Sequence, residues 1–270
     1  MITFNEEKHQ YTNQNNEIYT SVTTFIGKFK NKFDSEYWSL YKAIEEKSGI
    51  TDKRMFNSWL KVLGFKNDKT INDLENVIVK ANLNRHLLES INVRILREWK
   101  TKNLNSQEKG TALHKQKEIE SYKKGVEVLG GTNIKGVVRQ QYSQDIYSLE
   151  DGFYPELLLY NNYLKIAGIT DKTWLTTING IRYIDIDDYK TNGKITTNNK
   201  FQKMLSPINH LDDCNYIHYN LQVSMYALLL EECGFKVRNL RFTHVQDNED
   251  DIIYEVKYLR NELVQMLNFR

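Results

Sequence analysis

The chain has 270 residues, 40% of them hydrophobic, which is enough for a substantial core in one large domain or two smaller ones. The formal net charge of +2 at pH 7 neither requires nor excludes a nucleic-acid partner, so any basic surface must be local. The two cysteines, Cys214 and Cys233, lack metal-binding spacing, and no segment approaches the roughly 18 apolar residues of a membrane span, so we expect a cytoplasmic protein with reduced thiols.

Residues 1–29 are expected to form a short N-terminal hairpin and the start of a helix. Apolar and polar residues alternate over residues 2–20, and the polar residues 13–16 lie where the chain would turn. The pair Thr20-Ser21 then offers hydroxyl groups that can cap a helix beginning at Val22.

Residues 30–107 have the pattern of a charged, helical region. Apolar residues recur near the helical period in two series, Trp38, Leu40, Tyr41 and Ile44, followed by Phe56, Trp59, Leu60 and Leu63. Gly64 and the polar residues 66–69 end the second series. We interpret these aromatic residues as core packing rather than as platforms for stacked bases.

Residues 108–118 predict a further helix, and this helix carries a histidine. A start at Gly110 or Thr111 places His114 in the first turn or two, partly exposed near the N-terminal end of the helix. A single histidine in a helix is more often structural or solvated than a ligand. The assignment of His114 as a ligand therefore depends on residues elsewhere in the chain. Residues 125–136 are expected to be a loop or a weak hairpin.

Residues 154–190 predict three strands folded on one another. The pair Asn179-Gly180 separates two runs rich in β-branched and aromatic residues, and Asn-Gly is the strongest short-range signal of a hairpin. Asp171 and Asp188 should therefore lie on neighbouring strands. Because strand residues alternate between faces, Asp188 and Lys190 project from the same side and can reach one point in space.

The remaining chain alternates polar connections with further strands and helices. The predicted elements are a polar helix start at 196–203, a helix at 216–233 that Gly234 ends, strands at 238–244 and 252–258, and a helix at 259–269. These elements predict an α/β fold with a mixed central β-sheet flanked by helices. Residues 108–270 would form the core and residues 30–107 a helical cap or arch, within a single structural domain overall.

Acidic residues near the ends of these strands can gather into an oxygen-rich site with one imidazole. The candidates are Asp171, Asp188, Lys190, Glu156 and His114. Hard carboxylate ligands select Mg²⁺ or Mn²⁺ over zinc, and such a metal lowers the pKa of a bound water and neutralises charge on a phosphodiester. The simpler alternative is an ordinary surface ion pair between Asp188 and Lys190, and these two residues alone favour that alternative.

Five motifs occur in an order that resembles the PD-(D/E)XK nuclease superfamily, in particular its RecB-like branch. The motifs are GT-x-x-H at residues 110–114, an acidic residue at Glu156, G-x-x-D at Gly168 and Asp171, D-x-K-T at residues 188–191, and Q-x-x-x-Y at Gln222 and Tyr226. Residues 21–24 and 207–222 are similar to phage-type exonucleases and to mitochondrial genome maintenance exonucleases. Each motif alone is weak, but the ordered set is specific and covers the chain from about residue 2 to about residue 258.

The resemblance implies a role for each matching residue. The implied metal ligands are His114, Asp171, Asp188 and the backbone carbonyl of Tyr189; Lys190 is the implied catalytic lysine; Gln222 and Tyr226 position the active site or the DNA; and Glu156 matches an acidic position of less defined role. Gly168 suits a place where a side chain would crowd metal or substrate. Asp185 and Asp187 are competing carboxylates, although strand alternation turns Asp187 away from Asp188.

By the same resemblance, the chain is expected to be a Mg²⁺- or Mn²⁺-dependent deoxyribonuclease encoded by a phage. It would degrade DNA from a free end, single-stranded or duplex, during recombination, replication or DNA processing in the host cytoplasm. The helical region at 30–107 would thread the strand, and recombination or replication proteins are candidate partners. We expect no iron–sulfur cluster, because the cysteines that hold one in some relatives are missing, and no membrane partner.

Two other functions stay open at this point. The same site could serve an endonuclease, and the same fold could serve a DNA-binding or assembly protein that has lost catalysis. The presence of His114, Asp171, Asp188 and Lys190 argues against the second of these. A hydrolase of small molecules is disfavoured, because the chain lacks a phosphate-binding loop and a nucleophile elbow.

Overall fold

A computed structural model of the chain describes residues 2–129, 132–133, 136–140, 145–247 and 249–269. The chain divides into two compact units, one formed by Met1–Asn31 together with Lys109–Arg270 and the other by Lys32–Glu108. The first unit contains a mixed eight-stranded β-sheet flanked by helices, which confirms the predicted α/β class. In the described ranges, no helix is both long and apolar enough to cross a membrane.

Three short antiparallel strands form the N-terminal edge of the sheet, namely β1 (Ile2–Asn5), β2 (Gln10–Asn13) and β3 (Ile18–Ser21). The predicted turn after Asn13 is present, since the side-chain oxygen of Asn13 accepts hydrogen bonds from the backbone of Asn15 and Glu17. The predicted hairpin is formed by β2 and β3, and β1 is an additional strand that was not predicted. An additional turn precedes β2, where the Asn5 side chain accepts a hydrogen bond from the backbone N–H of Lys8.

Helix α1 (Val22–Gly27) follows β3 directly, at the predicted position. Its N-cap is Ser21, whose hydroxyl accepts a hydrogen bond from the backbone N–H of Thr24 at 3.0 Å. Val22, Phe25 and Ile26 are buried in the main core of this unit. The cap and this apolar face together explain why so short a helix forms here.

The centre of the sheet consists of the three predicted strands, β6 (Gly152–Asn161), β7 (Ile166–Ile178) and β8 (Ile181–Lys190). Strand β7 pairs antiparallel with both β6 and β8. Asn179 and Gly180 have φ values of 50° and 75°, so the two-residue turn between β7 and β8 uses the backbone conformation that an Asn-Gly pair favours. The prediction for this segment is confirmed.

Two parallel pairings make the sheet mixed. Strand β3 pairs parallel with the start of β7, and β8 pairs parallel with β9 (Lys236–His244), to which β10 (Ile252–Glu255) adds antiparallel. The two-residue strands β4 (Val128–Leu129) and β5 (Thr132–Asn133) form a separate small sheet. The predicted loop or weak hairpin at 125–136 therefore has strands in its described part, and residues 130, 131, 134 and 135 lie outside the described residues.

Helices α6 (Asn215–Glu231) and α7 (Arg260–Asn268) cover the sheet near their predicted positions. Leu221, Met225 and Leu229 of α6 are buried in the main core, and Gly234 follows this helix with a φ of 86°. The predicted helix start at 196–203 is wrong. The segment bonds instead to the start of α6 and to the loop before it. The Thr196 hydroxyl donates to the Asn215 side chain, and the backbone N–H and side-chain amide of Asn199 donate to Asp212 and Asp213, as expected for residues that compete with helix formation.

The second unit is helical and has its own core. Its helices are α2 (Ser35–Ser48), α3 (Lys53–Val62), α4 (Ile71–Lys80) and the first part of α5 (Arg85–Lys124). Tyr37 and Phe56 are buried in this core, and Trp38, Tyr41 and Trp59 pack against it. The interpretation of these aromatic residues as core packing is confirmed.

Helix α5 corrects the predicted position of His114. The helix begins at Arg85 and continues through Gly110 without interruption, so His114 lies well inside it rather than in its first turns. One glycine in a helix costs only about 1 kcal/mol relative to alanine. Good helix formers lie on both sides, such as Leu104 and Ala112, and they are sufficient to carry the helix through this position.

Candidate active site

Strand β7 is flanked on one side by β6, and its other side is shared by two strands. Strand β3 pairs with Ile166 and Ala167, whereas β8 pairs from Lys172 onward, so residues 168–171 of β7 lie in the gap between β3 and β8. Asp171 lies in this gap. Strand β8 continues past its last pair with β7, and there the backbone N–H of Tyr189 donates a hydrogen bond to the Asp171 carboxylate. The fork in the sheet therefore brings Asp171 next to the end of β8.

Three side chains from different elements converge at this fork. The His114 Nδ1 atom of α5 lies 2.8 Å from an Asp171 oxygen and 3.7 Å from a Glu156 oxygen. One ligand atom of each residue lies within 4.8 Å of the others. One divalent cation with metal–oxygen distances of about 2.1 Å holds ligand atoms at most about 4.2 Å apart, so small movements of these side chains would let it contact all three. His114 and Asp171 were predicted as ligands and Glu156 as an acidic residue of the site, and the structure brings all three side chains together.

Glu156 holds its position through an unusual backbone conformation. Its φ of 55° is in the left-handed region, and the ladder between β6 and β7 passes from Pro155 paired with Lys172 to Leu157 paired with Thr170. Glu156 and Asp171 therefore face each other at an irregularity in the ladder. This backbone conformation costs a non-glycine residue roughly 1–3 kcal/mol of stability and tends to occur at functional sites. The backbone of Glu156 therefore favours a functional role for this residue.

Asp188 and Lys190 form an ion pair beside these three residues, on the same face of β8 as predicted. Burial raises the pKa of Asp188, and the charge of Asp171 raises it further, while Lys190 opposes both effects. Burial lowers the pKa of Lys190, but Asp188 and Asp171 outweigh this effect and raise it overall. Lys190 is therefore held as an ammonium ion at the edge of the carboxylate cluster.

The electrostatic potential at His114 favours a cation. Burial alone would lower the pKa of His114, but the neighbouring carboxylates of Asp171 and Glu156 and the charge of Asp188 raise it to about 10. The negative charges that keep His114 protonated in spite of its burial would also stabilise a divalent cation at this position. The donor set of one imidazole and hard carboxylate oxygens fits Mg²⁺ or Mn²⁺.

The two competing carboxylates have other partners. Asp185 accepts hydrogen bonds from Arg238 at 2.9 Å and from Asn239 at 2.6 Å, and Asp187 accepts one from the Thr243 hydroxyl at 2.8 Å. The expectation that Asp187 turns away from Asp188 is confirmed. The implied coordination by the Tyr189 carbonyl stays a prediction, since the bond that ties this residue to the site is made by its N–H.

Gln222 and Tyr226 lie four residues apart on one face of α6, and the Gln222 amide donates a hydrogen bond to the Tyr226 hydroxyl at 2.9 Å. Burial and then the charge of Asp188 raise the pKa of Tyr226 well above its ordinary value, which places the phenol near the carboxylate cluster. Gly168 makes room for this ring. A Cβ atom at Gly168 would lie 2.6 Å from Tyr226 and 3.0 Å from Val22, so the expected reason for this glycine, crowding of metal or substrate, is replaced by packing of Tyr226.

Three residues near the site were missed by sequence reasoning. Tyr11 lies within electrostatic reach of Glu156, and Lys30 within reach of Lys190. The ring of Tyr219 lies 4.8 Å from the Lys190 ammonium nitrogen. Tyr219 falls in the stretch 207–222 that carried part of the family resemblance, but Tyr11 and Lys30 carry no signal in the sequence, because only the tertiary fold brings them to the site.

The sequence was compared with protein-family models and with curated proteins. The sequence matches no protein-family model, and a search of curated proteins finds no match.

Proposed function

We propose that this protein is a metal-dependent deoxyribonuclease that hydrolyses phosphodiester bonds from a free DNA end. The observation that carries the proposal is the convergence of His114, Glu156 and Asp171 beside the buried pair Asp188 and Lys190. A surface ion pair alone would not require three further ionisable groups at the same point. The ordered motifs that resemble the RecB-like nucleases supply the substrate class and the preference for an end.

His114, Glu156 and Asp171 would hold the metal, with Asp188 beside them as a further carboxylate ligand after its contact with Lys190 rearranges. Mg²⁺ and Mn²⁺ suit this donor set, and the bound ion supplies a water of lowered pKa and neutralises charge on the phosphodiester. The oxygen-rich set with one imidazole does not suit a metal that prefers thiolate ligands.

Lys190 has a role that follows from its charge. Because its pKa is raised rather than lowered, the ammonium group donates hydrogen bonds and stabilises negative charge instead of removing a proton. It would contact a non-bridging phosphate oxygen or orient the attacking water, whose oxygen forms the new bond to phosphorus as the ester P–O bond breaks. On α6, Gln222 donates a hydrogen bond to the Tyr226 hydroxyl, and this phenol lies within electrostatic reach of Asp188.

The experiment uses end-labelled linear single-stranded DNA, linear duplex DNA and covalently closed circular DNA, each with Mg²⁺ or Mn²⁺. We expect degradation of linear DNA only, with loss of activity in the presence of chelator and in Asp188→Asn. Asp250→Asn is the matched control, because Asp250 is an exposed carboxylate in the connection between β9 and β10 and is not one of the candidate ligands.

Three outcomes separate the alternatives. Cleavage of circles would assign an endonuclease with the same residues. DNA binding without cleavage of any substrate, unaffected by Asp188→Asn, would assign a binding or assembly protein. Neither binding nor cleavage would overturn a role on DNA altogether.

A further inference from the structure

The aromatic ring of Tyr219 is a second group that holds the Lys190 ammonium, besides the carboxylate of Asp188. The Lys190 nitrogen lies over the face of this ring, 4.8 Å from its centroid, which is inside the roughly 6 Å range of cation–π attraction. The side chain of Lys190 is only 11% exposed, and such contacts are stronger where the cation is desolvated. Lys190 therefore has two partners, one carboxylate and one ring.

The ring of Tyr219 is fixed from two sides. Its hydroxyl donates a hydrogen bond to the side-chain oxygen of Asn192 at 2.5 Å, and its centroid lies 5.3 Å from that of Phe242 in an edge-to-face arrangement. Phe242 is fully buried on β9, where it pairs with Asp188 in the sheet. A turn of the ring away from Lys190 would break both contacts.

The backbone next to Lys190 is fixed as well. The Lys190 carbonyl accepts a hydrogen bond from the backbone N–H of Val245 at 2.8 Å, and the Asn192 carbonyl accepts one from Nε2 of His244. His244 ends β9 and Val245 follows it, so the end of β8 is held against the neighbouring strand. Movement of the Lys190 ammonium between its two partners therefore needs rotation of its side chain alone.

Asp188 cannot serve Lys190 and a metal equally well. Its carboxylate pairs with Lys190 in this structure, and its use as a metal ligand requires the ammonium to release an oxygen. Asp171, the other carboxylate whose charge acts on Lys190, is itself a candidate ligand. A buried ammonium that loses its carboxylate partner is strongly destabilised unless another group replaces it. The Tyr219 ring is such a group, and its face does not compete for the metal, because Mg²⁺ and Mn²⁺ take oxygen ligands.

We propose that Tyr219 is a positioning residue that retains the Lys190 ammonium in the active site when Asp188 turns to the metal. This inference rests on the proposed nuclease function. The ring keeps the ammonium next to the reacting phosphate while Asp171 and Asp188 are both occupied, so that Lys190 still stabilises negative charge there. Without the ring, release of Asp188 by Lys190 costs more free energy, so Mn²⁺ binds more weakly.

The first test is the Mn²⁺ affinity of Tyr219→Leu, measured by calorimetry alone and in combination with Lys190→Met. We expect Tyr219→Leu to weaken Mn²⁺ binding by about fivefold, which is within the range of cation–π contacts. In the Lys190→Met background the same substitution should have no further effect on the affinity, because no ammonium remains for the ring to hold. An equal loss in both backgrounds would contradict the proposal and assign a packing role to Tyr219.

The second test varies the electron density of the ring while its shape is retained. The variants are Tyr219→Phe and increasingly fluorinated forms of it. Tyr219→Phe lacks only the hydroxyl that bonds to Asn192, so it should restore most of the Mn²⁺ affinity that Tyr219→Leu loses. The affinity should then fall stepwise with each fluorine, because fluorine withdraws electron density from the ring face that attracts a cation. An affinity that does not depend on fluorination would overturn the proposal.

Tyr216→Leu is the matched control. Tyr216 lies on the same helix, its ring centroid is 6.0 Å from that of Phe242, and its hydroxyl donates to the Glu255 carbonyl at 2.9 Å. Its truncation should lower the unfolding temperature about as much as Tyr219→Leu does, but it should leave Mn²⁺ affinity at the wild-type value. Thermal unfolding of each variant confirms that it is folded at the assay temperature. An equal loss of Mn²⁺ affinity in Tyr216→Leu would show that packing on Phe242 is sufficient to explain the effect.

DNA cleavage separates this inference from the proposed function. At saturating Mn²⁺, Tyr219→Leu should lower kcat by about tenfold with little change in KM, because Lys190 acts at the reacting phosphate. If the wild type cleaves DNA and Tyr219→Leu retains both kcat and Mn²⁺ affinity, the role of Tyr219 is wrong and the nuclease function stands. If the wild type binds Mn²⁺ without cleaving DNA, the nuclease function is wrong and the comparison with Lys190→Met alone decides the role of Tyr219. If the wild type does neither, both proposals fall.

Discussion

His114 is the residue on which the candidate metal site is centred, because it contacts both Asp171 and Glu156. Its raised pKa has a direct consequence for metal binding. In the metal-free protein the imidazole retains its proton up to a pH of about 10, whereas a metal ligand must be unprotonated. A bound cation must therefore displace a proton from His114.

The affinity for Mn²⁺ should increase with pH for this reason. The range from pH 6.5 to 8.5 lies below the raised pKa of His114, so the metal must displace a proton throughout it. The free-energy cost of removing that proton falls as the pH rises, and the affinity for Mn²⁺ therefore increases by about tenfold per pH unit. Isothermal titration calorimetry in buffers of different ionisation enthalpy measures both the affinity and the released proton. An affinity that stays constant over this range would show that the proton on His114 does not compete with the metal.

Glu156 combines a strained backbone with a ligand position, and two substitutions separate these properties. Both Glu156→Gln and Glu156→Gly should weaken Mn²⁺ binding by about tenfold or more, because each removes a charged ligand. Glu156→Gly should nevertheless unfold at a temperature no lower than Glu156→Gln without metal, since glycine adopts a φ of 55° without strain. Thermal unfolding with and without Mn²⁺ checks this prediction, and full Mn²⁺ affinity in either variant would remove Glu156 from the site.

The elements of the central sheet follow from local sequence signals, and the errors have physical causes. The strand pair around Asn179 and Gly180 was predictable, because alternation and turn chemistry both act over a few residues. The start of α5 was not, since a single glycine at position 110 is a weak helix breaker. The positive φ of Glu156 and the proximity of Lys30 to Lys190 depend on contacts between segments far apart in sequence, which no local pattern encodes.

The contact between β7 and α6 gives a prediction at the level of elements. Gly168→Ala places a methyl group against the ring of Tyr226, so it should destabilise the protein by about 1–3 kcal/mol and reduce nuclease activity through displacement of α6 from Asp188. Gly193→Ala is the matched control, because a Cβ at Gly193 has no neighbour within 4 Å. Chemical unfolding and initial rates measure the two effects. Equal stability of the two variants would contradict the packing role of Gly168.

On the scale of the whole molecule, the chain has two compact units with separate cores. The candidate metal ligands and Lys190 all belong to the unit with the sheet. The 32–108 unit contributes its own apolar core, formed by residues of four helices. Stability and metal binding should therefore respond differently to substitutions in the helical unit.

Leu74→Ala tests this separation. Leu74 is fully buried in the helical unit, so its truncation should lower stability by about 2–5 kcal/mol. Mn²⁺ affinity, measured well below the unfolding temperature, should remain unchanged. Val79→Ala on the same helix is the control, because Val79 is 66% exposed. A loss of Mn²⁺ affinity in Leu74→Ala alone would show that the helical unit supports the metal site.

The most direct test of the account is a Mn²⁺ titration of the wild-type protein and Asp171→Asn, followed by calorimetry at pH 8. Asp171 contacts both His114 and the Tyr189 backbone, so its carboxylate connects the ligand group to the end of β8. We predict saturable binding to wild-type protein, and loss of that binding in Asp171→Asn with retention in Asp250→Asn. Equal binding by all three proteins, or no binding by the wild type, would contradict the assignment of a metal-dependent active site.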